Sequence, residues 1–175
     1  MGSNSTNPVR GVGIIGCGEI TQVAHIPTLA FLSDLFTVTY LCDVSDDALQ
    51  HCRQKIIGHV PQTTRDPVRL CSSPDVDVVL VVNSDEYHTL HTILALQHNK
   101  HVFVEKPMAL NQRDADAVVE AEKQSNGKVM VGYMRRYAAG FTDALKEIGG
   151  MEKVTYARVR GMLTLQSSHI SGGQG

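Results

Sequence analysis

The chain has 175 residues, 42% of them hydrophobic and 19% charged, with a formal net charge of -2. That length suffices for one sizeable core, and a near-neutral balance gives no long-range pull toward nucleic acid or an anionic membrane surface, so neither is expected as a partner. The opening MGSNSTNPVR is polar, and no stretch approaches the ~20 apolar residues needed to span a bilayer, so the expected location is cytoplasmic.

Residues 1–8 read as a flexible N-terminus. VRGVGIIG (9–16) is a short run rich in Val and Ile that ends in glycines, the pattern of a buried parallel strand. A helix follows, which Pro27 interrupts as the start of a second short segment. Further apolar runs are TVTYLC (37–42), VDVVLVVN (76–83), KHVFVE (100–105) and KVMVGY (128–133), with helical stretches between them. HTLHTILALQHN (88–99) sets Leu90, Ile93, Leu94 and Leu96 along one side. NQRDADAVVEAEKQSNG (111–127) opens with Asn111 as a cap and closes on Asn126-Gly127. Alternating strands and helices imply right-handed crossovers, hence a doubly wound parallel α/β sheet covered on both faces over residues 9–150. EKVTYARVRGML (152–163) alternates like one isolated strand, and a loose Gly-rich tail ends the chain. Such an unpaired strand would offer an edge for association with a second copy.

Gly16-Cys17-Gly18-Glu19-Ile20-Thr21 directly follows the first run and opens a helix. The first glycine permits a tight turn and the second a close backbone approach to a pyrophosphate. The free N–H groups and the positive helix end face its charge, so Gly16, Gly18, Glu19 and Ile20 are expected to bind a dinucleotide. Thr21 departs from the usual Gly or Ala and is expected to weaken helix–strand packing. Asp43 ends the second run, where a carboxylate accepts ribose hydroxyls and repels a 2′-phosphate, so NAD is favoured and NADP remains the alternative. Ser45 or Asp43 also fits a cap for DDALQHCRQ. Glu105-Lys106-Pro107 stands at the carboxyl end of its strand, the rim where open α/β sheets bind ligands. The four cysteines and the histidines show no metal-ligand spacing, so no metal is expected.

The order and spacing of these segments, with EKP after KHVFV, NSDEYHTLHTILALQHNKHV before it and VGYMRRY after it, resemble the glucose-fructose oxidoreductase / inositol dehydrogenase (Gfo/Idh/MocA) family from about Val9 to about Met162. The resemblance implies a Rossmann domain carrying NAD(P), followed by an α/β domain that closes over a sugar, inositol or similar polyol. It implies that Lys106 lies beside the nicotinamide and the substrate hydroxyl as the catalytic residue, that Glu105 contacts the nicotinamide ribose, and that the Lys106-Pro107 bond is cis. Arg136 matches an arginine directed at cofactor or substrate. Asn83 stands where the family often has Thr-Pro-Asn and is expected on the adenine-ribose side, while Ser84 or Asp85 fits a cap for the next helix. His88 keeps its place and fits either cofactor contact or packing.

The family's second catalytic group, a histidine preceded four residues earlier by an aspartate, has no match, since His169 follows Leu165. The expectation is therefore a dinucleotide-binding domain, truncated at the start of its substrate domain, that turns over no polyol alone. The competing readings are a non-catalytic dinucleotide sensor of the same fold and, less well supported, a methyltransferase using S-adenosylmethionine.

Overall fold

A computed structural model describes residues 8–158. The chain clusters into two compact units, Met1–Tyr133 and Met134–Gly175.

The first unit is built on six parallel strands, β1 (Arg10–Ile15), β2 (Phe36–Cys42), β3 (Gln62–Thr64), β4 (Val78–Val81), β5 (His101–Val104) and β6 (Val129–Val131). Their spatial order is β3-β2-β1-β4-β5-β6, so the direction of winding reverses between β1 and β4. Successive residues point to opposite faces, and both faces are apolar because both are covered. Val12, Ile14, Val38, Leu80 and Val82 pack with Ile26 and Leu29 of helix α1 (Ile26–Phe31) and Leu49 and Cys52 of α2 (Asp46–Lys55). Ile15, Tyr40, Val79, Val81, Val102 and Val104 pack on the other side with Leu70 and Cys71 of α3 (Pro67–Ser72) and Ala95 and Leu96 of α4 (His88–Gln97). Helix α5 (Gln112–Lys123) joins that side through Ala121. Each fully buried Leu or Ile contributes roughly 1.5–3 kcal/mol over leaving it exposed.

One irregularity adjusts this pattern. The β1–β2 register pairs Val12 with Val38 but Gly13 with Tyr40, so Thr39 is an extra residue. Its hydroxyl donates to Asp75 O at 2.8 Å, and beyond it Tyr40 and Leu41 exchange faces relative to simple alternation.

Local signals account for the helix ends. Ser45 caps α2 by accepting from Ala48 N–H, and Asn111 caps α5 by accepting from Asp114 N–H. Asp66 caps α3, whose first residue is Pro67. Neither Ser84 nor Asp85 caps α4 through its side chain; Asp85–Tyr87 forms a 3-10 turn that leads into it. The buried stripe of α4 is His88, Thr92, Ala95 and Leu96, whereas Leu90 is 59% exposed, so the apolar side expected from the sequence is rotated toward two polar residues. Helix α5 ends at Lys123, before Asn126-Gly127. Pro27 is the second residue of α1. Lacking an N–H, it cannot donate to the preceding turn, and the winding over Thr21–His25 widens to π bonding, with Ile26 N–H donating to Thr21 O.

In the second unit, helix α6 (Ala139–Glu147) follows a 3-10 turn at Met134–Tyr137. The strand expected over 152–163 does not form in its described half: Met151–Lys153 is a 3-10 turn and 154–158 carry no regular structure. A lone extended segment leaves its N–H and C=O groups unpaired, so alternation of apolar residues alone does not make a strand. Residues 159–163, His169, the tail and all but Pro8 of the expected N-terminal segment lie outside the described residues. Among the described residues no helix is long and apolar enough to cross a membrane, and no group of three or more His, Cys, Asp or Glu is arranged to hold a metal ion.

Candidate functional site

Because every strand runs the same way, all the carboxyl ends emerge at one rim. Gly16-Cys17-Gly18 follows β1, Asp43 follows β2, Asn83 closely follows β4, and Glu105-Lys106-Pro107 follows β5. The reversal between β1 and β4 leaves a crevice at this rim, the place where open α/β sheets take ligands.

The glycine loop is fixed from three sides. Gly16 has φ +105°, and a Cβ there would stand 2.6 Å from Asn83 N and 2.7 Å from Val82 C, so the end of β4 packs where a side chain would be. Gly16 N–H donates to Cys42 O, and Cys17 N–H donates to the Asp43 carboxylate at 2.7 Å. Two of the loop amides are therefore taken by the fold itself. Thr21, expected to loosen the packing, is fully buried and donates to Gly16 O at 2.6 Å. Its hydroxyl replaces close backbone packing with a hydrogen bond that clasps the loop to the helix. Gln22 adds a second clasp, its Nε2 donating to Cys17 O. Gly18, in contrast, has nothing within 4 Å of where its Cβ would be. Ile20 is already helical (φ -61°, ψ -36°), so Gly18, Glu19 and Ile20, all exposed, present the first amides of a helix to open space.

Asp43 divides its carboxylate between Cys17 N–H and Ser45 N–H, the latter at 2.8 Å. Each oxygen keeps a free lone pair for another donor. Val44 beside it is 83% exposed, an apolar side chain that sequence reading passed over. Just inside, burial pushes the Cys42 thiol up to about 12.

Across the crevice, Asn83 donates to His91 Nδ1 at 3.0 Å, and its Oδ1 is buried without a partner. Burial and the neighbouring His88 lower the His91 pKa, which suits an imidazole that accepts at Nδ1. His88 is buried, with Nδ1 2.7 Å from Pro107 O and Nε2 3.0 Å from Asn83 O. Its ring thus lies between a carbonyl of the β4 loop and a carbonyl of the β5 loop. The Lys106-Pro107 bond is cis. Lys106 is exposed at the rim, and Glu105 is partly buried with Oε1 3.1 Å from His25 Nε2. The sequence reading did not single out His25; its one signal was the H-x-P spacing to Pro27. Arg136 lies in the second unit, exposed in the turn Met134–Tyr137. A shallow groove of about 460 Å³ at the opposite rim is lined by Gly11, Thr39, Asp75 and Asp77 among others, but Asp77 is already engaged by Gly11 N–H and Arg10.

Comparison with known proteins agrees with this fold. Residues 10–133 match the GFO_IDH_MocA family, described as "Oxidoreductase family, NAD-binding Rossmann fold". The chain is 33% identical over 130 residues to myo-inositol 2-dehydrogenase of Thermotoga maritima, covering 74% of this chain and 38% of that protein. It is 37% identical over 138 residues to inositol 2-dehydrogenase of Salmonella typhimurium, covering 78% and 40%. Among solved structures, myo-inositol dehydrogenase from Lactobacillus casei in complex with NAD(H) and myo-inositol superposes with a TM-score of 0.74 at 29% identity, over 81% of this chain and 41% of that one. The chain thus spans about two fifths of the length of the curated relatives it matches. By its sequence over residues 10–133 and by its fold, the chain belongs to the Gfo/Idh/MocA oxidoreductase family and carries that family's Rossmann domain.

Proposed function

We propose that this chain binds NAD across the carboxyl rim of its sheet and serves a dehydrogenase that moves hydride between the nicotinamide and a hydroxyl of a sugar or polyol. One observation carries the reading: Asp43 is bonded directly to the glycine loop at Cys17, while Lys106 emerges from the same rim three strands away. At the usual strand spacing that separation is about 14 Å, a span that an extended dinucleotide bridges. The residues fit such a group. Open space at Gly18 admits a pyrophosphate against the amides of Gly18, Glu19 and Ile20, and the helix end supplies partial positive charge. The spare lone pairs of Asp43 would accept the adenosine ribose hydroxyls, and the exposed Val44 next to it would offer apolar surface to the adenine. The negative charge of Asp43 disfavours a 2′-phosphate, hence NAD over NADP.

When bound, the nicotinamide supplies the hydride acceptor. Glu105, held just inside the rim, accepts hydroxyls of the nicotinamide ribose and so sets the position of the ring. Lys106 projects from the rim and would hold the substrate oxygen, whose proton would pass to water as the hydride passes from carbon to the nicotinamide. The inositol dehydrogenases among the relatives favour a polyol as the substrate class. Calorimetric titration with NADH, NADPH and S-adenosylmethionine tests the binding half of the proposal. NADH should bind most tightly and S-adenosylmethionine not at all; no NADH binding, or preferential binding of S-adenosylmethionine, would overturn it.

A further inference from the structure

We infer that His25 is a positioning residue for the dinucleotide site, holding the Glu105 carboxylate in the orientation that receives the nicotinamide ribose; this rests on the dinucleotide reading given above. His25 closes the π turn at the start of the first helix, 80 residues from Glu105 in sequence, and both side chains are mostly buried, at 15% and 18% exposure. An ionised carboxylate only accepts, so the 3.1 Å contact requires a proton on Nε2, donated to Oε1. The other oxygen, Oε2, accepts from Lys106 N–H at 3.2 Å. Each carboxylate oxygen is therefore assigned a protein donor, and the plane of the group is set.

Two further observations show that the surroundings are shaped to this pair. The His25 ring meets the Phe103 ring edge to face, with centroids 5.5 Å apart at 70°, which limits rotation of the imidazole. Gly132, at the end of β6, closes the opposite side: a Cβ there would stand 2.9 Å from the Phe103 ring and 3.3 Å from Glu105 Oε2. Glycine at this position is what lets the aromatic ring and the carboxylate lie side by side. Two strand ends, those of β5 and β6, and the π turn thus converge on one carboxylate, an arrangement that a solvated surface glutamate would not need. The π turn acquires a purpose as well, because it ends on the residue that reaches across the crevice.

The test separates the two halves of the dinucleotide. ADP engages the glycine loop and Asp43 but has no nicotinamide ribose, whereas NADH engages both halves. In the 175-residue chain, His25→Ala should weaken NADH binding about tenfold and leave ADP binding within about twofold. His25→Gln, whose side-chain amide can still donate, should recover most of the loss. In a Glu105→Ala background, which already lowers NADH affinity, His25→Ala should add nothing. A signature independent of any folding defect comes from the wild type: long-range proton–nitrogen NMR should report His25 Nε2 as the protonated nitrogen, shifting in Glu105→Gln. Unchanged NADH affinity in His25→Ala, equal losses for ADP and NADH, or an undiminished loss in the Glu105→Ala background would overturn the positioning role alone. Failure of the wild-type chain to bind NADH would remove the dinucleotide reading beneath it.

Discussion

The two glycines of the loop after β1 face opposite demands, and alanine at each should separate fold from binding. Gly16 combines φ +105° with a Cβ position 2.6–2.7 Å from the backbone of Val82 and Asn83. A residue held in a sparsely populated region costs about 1–3 kcal/mol, and overlap with backbone that no side-chain rotation can relieve costs about as much again. Gly16→Ala should therefore lose about 2–6 kcal/mol, lowering Tm by roughly 5–20 °C in a chain of this size. Gly18 has no positive φ and no atom within 4 Å of its Cβ position. Alanine there restricts the unfolded chain at no native cost, so Tm should stay level or rise by a degree or two, about 0.4–1 kcal/mol. The methyl nevertheless occupies the space needed by the pyrophosphate. Losing one charge-assisted hydrogen bond, about 1.5–3 kcal/mol, would weaken NADH binding about 10- to 100-fold. Thermal unfolding without ligand and calorimetry with NADH read the two quantities separately. Wild-type NADH affinity in Gly18→Ala, or a wild-type Tm in Gly16→Ala, would refute the assignment of binding to one glycine and geometry to the other.

Thr21→Val keeps the shape of the buried side chain but leaves Gly16 O without its donor, so stability should fall by about 1–3 kcal/mol in chemical denaturation; an unchanged midpoint would mean that the clasp contributes nothing. NADH should bind about tenfold or more tightly than NADPH because of the Asp43 charge, and Asp43→Ser should lower NADH affinity while bringing the ratio toward one. Retention of the full preference in the variant would place the discrimination elsewhere. His91 is held neutral, its pKa lowered from the ordinary 6.5 by burial first and His88 second. The unfolded chain binds that proton more readily, so the stability His91 contributes is complete above about pH 6.5 and is lost as the pH falls toward the lowered folded value. Denaturation at pH 7.5 and 5.5 should show a smaller acid loss in His91→Gln than in the wild type, and parallel losses would contradict this.

The architecture was legible because parallel strands covered on both faces must be apolar on both sides, which the runs at 9–16, 37–42, 76–83 and 100–105 are. Strand β3 escaped because Gln62-Thr63-Thr64 is short, polar and at the sheet edge, where no apolar pattern is required. Helix α3 left a readable trace in Asp66-Pro67, a cap followed by proline. Asp43 and the glycines were singled out from spacing, but the bond joining them is a tertiary fact that no local pattern encodes. Thr21 was misjudged because the usual small residue packs by absence, whereas a hydroxyl reaches the same end by bonding a carbonyl. The buried face of α4 was misplaced because only its leucines and isoleucine were followed; Thr92 is buried there, and so is His88, whose ring lies between Pro107 O and Asn83 O. His25 was overlooked because its partner lies 80 residues away.

The account depends on a dinucleotide lying along the carboxyl rim from Asp43 to Lys106. Amide chemical-shift mapping of the chain during an NADH titration examines that directly. The largest changes should fall on Gly18, Glu19, Ile20, Val44 and Glu105, with Gly11, Thr39 and Asp75 at the opposite rim unmoved; changes concentrated on that opposite rim, or none at all, would contradict it.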